Sequence, residues 1–111
     1  MFTDEMHYKL MRVLETHPAM SQRALAQELG VSLGKVNYCL QALRKKRFIR
    51  IVPARRGRTG AVRVYLLTSQ GIEQKTNLAA RYLSEMTREQ EALRHEIRKI
   101  RSEIKKTEID L

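Results

Sequence analysis

The sequence predicts a mainly helical α+β fold: short helices and one β-hairpin in a small N-terminal domain, then a long C-terminal helix. Three observations predict it. Residues 21–48, SQRALAQELGVSLGKVNYCLQALRKKRF, carry apolar residues at helical spacing on both sides of a glycine. Segments 48–52 (FIRIV) and 61–67 (AVRVYLL) alternate β-branched with other residues around a loop of turn formers and arginines. From Ala79 onward, apolar residues step by four and three toward the end. A chain of 111 residues has room for one small core and an appendage, here residues 1–68 and 69–111.

Residues 4–16 predict a first helix, capped by Thr3, with a stripe of Met6, Leu10, Val13 and Leu14 flanked by Tyr8 and Met11. Pro18 ends it. Ser21 is a good cap for a second helix that turns Leu25, Ala26 and Leu29 to one side. Gly30 supplies the left-handed residue at its end, Val31 plugs the corner, and Ser32 caps a third helix running to about Lys46. Leu33, Val36, Cys39, Leu40 and Leu43 share the inner face of that helix. Ala26, Gly30 and Val36 have the spacing of a helix-turn-helix: close approach, turn, anchor. Ser32, Gly34, Lys35, Asn37, Tyr38 and Gln41 are left outward, as hydrogen-bonding, basic and aromatic groups suited to base edges and phosphates. They are the candidate DNA-reading residues. Arg44, Lys45, Lys46 and Arg47 follow, either complementing the helix dipole or meeting phosphates.

A hairpin directly after a helix-turn-helix is a wing. Its loop, Pro53 to Gly60, brings Arg55, Arg56 and Arg58 to the tip, with Arg63 behind them on the second strand. Gly57 and Gly60 let backbone approach a sugar-phosphate strand or a minor groove. The charge agrees. Of the net +10, nearly all lies in residues 1–71, where thirteen Lys/Arg face four Asp/Glu.

Thr68 caps the last helix, which no proline interrupts. Placing Leu83, Gln90, Ile97 and Ile104 at heptad position a puts Met86, Leu93 and Ile100 at d, within about four heptads and ~50 Å of helix. These seven are the candidate dimerisation residues. In a parallel pair Glu89 meets Arg94 and Glu96 meets Arg101, both attractive, while Glu103 opposite Glu108 is repulsive; an antiparallel pair opposes Glu to Glu and Arg to Arg. A parallel coiled-coil homodimer is therefore expected, with Gln90 helping to set register.

Other chemistry is not expected. His7, His17 and His95 lie far apart, His7 and His95 as surface helix residues, and no cluster has metal-ligand spacing. No nucleotide cradle, nucleophile motif or carboxylate pair is present, so no cofactor, metal or catalytic residue is assigned and no enzymatic activity is expected. The single cysteine, Cys39, makes no intrachain disulfide and sits on the core face of its helix. With no apolar signal core and no membrane-length apolar run, a cytoplasmic location and no membrane partner are expected.

The run QRALAQELGVSLGKVNYCLQALRKKRFIR and the later VYLLTSQGI resemble the small MarR-family regulators associated with bacterial exopolysaccharide gene clusters. GVSLGKVNYCLQAL is the most specific part, and the resemblance covers nearly the whole chain. It implies a dimeric winged-helix transcription regulator, with Ser32, Gly34, Lys35, Asn37 and Tyr38 in the major groove and Arg55, Arg56 and Arg58 on the wing. Typical members are longer and frame a ligand pocket with N- and C-terminal helices. This chain has a short first helix and one C-terminal coil, so a small-molecule effector is not expected.

The resulting expectation is a sequence-specific, dimeric regulator of double-stranded DNA, acting as a repressor on a pseudo-palindromic operator. The alternative is a winged-helix protein-interaction adaptor with only non-specific DNA binding. RNA ranks last, because an A-form major groove is too narrow for this helix.

Overall fold

The computed structural model describes residues 4–55 and 61–110. Its elements, in order, are α1 (Asp4–Thr16), α2 (Gln22–Leu29), α3 (Leu33–Lys45), β1 (Ile49–Arg55), β2 (Ala61–Leu67) and α4 (Ser69–Asp110). This is a winged helix: three helices, a two-stranded antiparallel sheet and a long last helix. The chain divides into two compact units, one ending at Ala79 and the other beginning at Ala80.

In the first unit, each helix starts and stops where local chemistry dictates. Ser21 and Ser32 are extended and accept hydrogen bonds from the Ala24 and Lys35 amides at 3.1 and 3.2 Å. Gly30 takes φ 67°, and the Gly30 and Val31 amides close the end of α2 on the carbonyls of Gln27 and Ala26. The cap expected from Thr3 lies outside the described residues. The core joins Leu10, Met11 and Leu14 of α1, Leu25 and Ala26 of α2, and Val36, Cys39, Leu40 and Leu43 of α3. Ile49, Tyr65 and Leu78 complete it from the sheet and α4. Met11 is fully buried rather than flanking, while Met6 and Val13 pack at the margin. Leu33 departs from its expected inward position: it is 42% exposed, because the core contacts of α3 begin only at Val36.

The sheet pairs Ile49 with Leu67 through to Arg55 with Ala61. β1 therefore continues three residues beyond the expected Val52. Pro53 lacks an N–H but lies in a two-stranded sheet, where every strand has a free edge that tolerates it. The Tyr65 amide donates to the Pro18 carbonyl at 2.8 Å, tying β2 to the α1–α2 connection.

α4 begins against the same core. Thr68 donates from its hydroxyl to the Arg47 carbonyl at 2.6 Å and accepts from the Gly71 amide at 3.0 Å. Leu78 is buried, and Lys75 pairs with Glu15 at 2.6 Å. In the second unit the helix continues with Leu83, Met86, Leu93, Ile97, Ile100 and Ile104 all exposed. Among the described residues, no helix is long and apolar enough to cross a membrane.

Candidate nucleic-acid interface

The face of α3 opposite the core is built from its first two turns. Ser32, Gly34, Lys35, Asn37 and Tyr38 are all exposed there, Tyr38 with 66% of its surface free. Gln41 is half-buried, not fully outward as expected, because it flanks the inward row of Leu40. The buried face anchors the helix through Val36, Cys39, Leu40 and Leu43, so the outward groups ride on a rigid element. A Cβ built on Gly34 meets nothing within 4 Å. Its bare backbone leaves the first turn open to close approach, beside the positive end of the helix.

One contributor escaped the sequence reading. Gln22, the first residue of α2, donates from its side-chain amide to the Tyr65 hydroxyl at 3.1 Å and to the Asn37 side-chain Oδ1 at 3.5 Å. It links the outward face of α3 to the buried tyrosine of β2. Only the polar residue following the Ser21 cap hinted at it, because its partners lie fifteen and 43 residues away.

On the wing, Arg63 is exposed on β2 opposite Pro53, and the backbone of Arg55 closes β1. Arg56 and Arg58, with Gly57 and Gly60, lie outside the described residues. Arg44, Lys45, Lys46 and Arg47 are exposed at the end of α3.

The titratable groups behind this face are structural. Cys39 is 1% exposed, and burial pushes its thiol up to about 12, away from the thiolate form. His7 is half-buried rather than a surface residue. Burial first and the Lys46 charge second lower its pKa, with Asp4 opposing them. His17 is exposed beside the Thr16 hydroxyl, and His95 is exposed on α4. Among the described residues, no three His, Cys, Asp or Glu side chains gather as a metal site.

A helix-turn-helix whose second helix presents an exposed polar face, followed by a two-stranded hairpin, is the winged helix-turn-helix arrangement. The sequence profile of winged helix-turn-helix DNA-binding domains matches residues 3–50. Solved structures of similar fold include several described as transcriptional regulators. The PcaV transcriptional regulator of Streptomyces coelicolor, solved with its natural ligand, is 19% identical over 70% of this chain and 54% of its own, with a TM-score of 0.59. FabT of Streptococcus pneumoniae, solved in complex with DNA, is 25% identical over 75% of this chain and 56% of its own (TM-score 0.55). The zinc-dependent MarR-family regulator AdcR, in its Zn(II)-bound state, is 21% identical over 81% and 60% (TM-score 0.53). The chain thus spans little more than half the length of these proteins. No curated protein sequence matches it. Residues 3–50 thus carry the sequence signature of a winged helix-turn-helix DNA-binding domain, and the fold is similar to that of solved transcriptional regulators, one of them of the MarR family.

Proposed function

We propose that the protein is a cytoplasmic, dimeric, sequence-specific transcriptional repressor of the MarR type. The observation that carries this reading is the capped, exposed face of α3, where Ser32, Lys35, Asn37 and Tyr38 stand together on a helix whose other face is buried. In the proposed complex α3 enters the major groove, and Lys35 and Asn37 read base edges. Gln22 holds Asn37 for that role. Arg55, Arg56, Arg58 and Arg63 hold the flanking backbone or minor groove without reading sequence. The apolar seam from Leu83 to Ile104, with Gln90 inside it, pairs in parallel with a second copy. The two reading helices then face half-sites about 34–36 Å apart, or a multiple of that. FabT, itself solved on DNA, supports the mode of binding. By resemblance, the regulated genes are those of exopolysaccharide synthesis.

Selection of bound duplexes from a random pool, near physiological salt, tests the proposal. Recovery of an inverted repeat is expected, with Lys35→Ala and Asn37→Ala losing discrimination by about 1–3 kcal/mol. Recovery of no motif, with binding that collapses as salt rises, would overturn the regulator and favour a protein-interaction adaptor.

A further inference from the structure

At the far end of α3 from the DNA-reading face, the first unit contains a groove of about 460 Å³ that the DNA-binding reading leaves unused. Arg44, Arg47 and Arg50 line it with Ile51, Thr68 and Gln70. We infer that this groove binds a small polyanion, a molecule carrying two or more phosphate or carboxylate groups.

Arg47 is the first reason. Its φ of 62° is the left-handed conformation that glycine adopts without strain and arginine does not. The backbone is locked there: the Arg47 amide reaches the Arg44 carbonyl, the Phe48 amide reaches the Leu43 carbonyl, and the Thr68 hydroxyl holds the Arg47 carbonyl. The position therefore asks for glycine on backbone grounds. An arginine there is explained by its side chain, a pattern of strain typical of functional sites.

The company it keeps is the second reason. All three arginines are exposed, and none has an ion-pair partner among the described residues. The end of a helix favours cations at Arg44 and Arg47. It does not account for Arg50, which stands on β1 and turns into the same groove. Three planar guanidinium forks around one concavity match the paired oxygens of phosphates and carboxylates. The volume is that of a small-molecule site.

Position separates this groove from the DNA contacts. Arg44 follows Lys35 by nine helical residues, roughly 14 Å of rise. Arg50 precedes Arg55 by five strand residues, roughly 17 Å. A ligand here would touch α3, β1 and the start of α4 together, contrary to the expectation that no effector binds.

Calorimetric titration of the full chain with inorganic pyrophosphate, at about 0.15 M salt, tests the site. Saturable binding of one pyrophosphate per chain is expected. Arg47→Gly and the double variant R44A/R50A should each weaken it by about tenfold or more. The R47G chain should melt no lower than wild type, since glycine suits that backbone, so its loss cannot be ascribed to unfolding. The charge-matched variant K105A/K106A should stay within about twofold of wild type. Absence of saturable binding, undiminished binding by R47G, or equal loss in K105A/K106A overturns the inference. So does a result in which pyrophosphate fails to bind but the arginine variants lose duplex affinity with a shallower salt dependence. The arginines would then serve the DNA backbone.

Discussion

Gly34 sits in the first turn of α3 at an ordinary helical position, with open space where a Cβ would stand. Alanine there removes the helix penalty of glycine, so Gly34→Ala should stabilise the fold by up to ~1 kcal/mol. The same methyl group should weaken duplex binding by occupying the space that close approach needs. Melting and duplex titration of one variant separate the two effects; unchanged duplex affinity would show that DNA does not approach this turn. His7 makes a second prediction at this scale. Its pKa is lowered in the fold, so the folded chain binds fewer protons than the unfolded chain just below pH 6.5. Its contribution to stability is complete above the unfolded value and declines as pH falls through the folded one. Thermal melting between neutral and mildly acid pH should show that decline, and His7→Gln should flatten it. Lys35 and Asn37 could be read from their helical phase alone, as could burial of Cys39. Gln22 and His7 could not, because their surroundings come from other elements: Tyr65 and Asn37 for one, Lys46 for the other.

At the scale of elements, the junction of α4 with the domain is the most constrained place. A Cβ on Gly71 would lie 1.9 Å from the Phe48 carbonyl oxygen and 2.9 Å from its carbon. Both are backbone atoms, and the same carbonyl accepts the Thr68 amide at 3.0 Å. Gly71→Ala should therefore destabilise the domain by about 1–3 kcal/mol, as overpacking does. Chemical denaturation measures it, and a midpoint equal to wild type would show that the junction yields freely. The sequence places this glycine in the first turn of a helix, but nothing local to it announces Phe48, more than twenty residues earlier. Boundaries show the same division. Caps are local, so Ser21, Gly30, Ser32 and Thr68 mark helix ends correctly. The extension of β1 through Pro53 depends on having a partner strand on one side only, and the exposure of Leu33 depends on where α3 first meets α1 and α2.

For the molecule as a whole, the seam of α4 carries the quaternary prediction. Leu83 and Leu93 are more than 60% exposed, and Ile97, Ile100 and Ile104 more than 40%. Six large apolar residues at a and d spacing on one helix form the stripe that a coiled coil covers. Ile97→Asp should convert a dimer to monomer in sedimentation. It should also lower affinity for a two-half-site duplex far more than for a single half-site, since linked binding is lost. A wild-type chain that sediments as a monomer at every concentration would remove the dimer from the proposal. By itself, the sequence determined the order of elements, the caps at Ser21, Gly30, Ser32 and Thr68, most of the inward stripe of α1 to α3, the exposure of Ser32, Gly34, Lys35, Asn37 and Tyr38, and the heptad spacing of α4. Each follows from the periodicity or backbone preference of neighbouring residues. Only the tertiary structure decided that Gln22 reaches Asn37, that Gly71 must admit the Phe48 carbonyl, and that Arg44, Arg47 and Arg50 share one groove. Those contacts join residues distant in the chain, and their distances are set by how the elements pack.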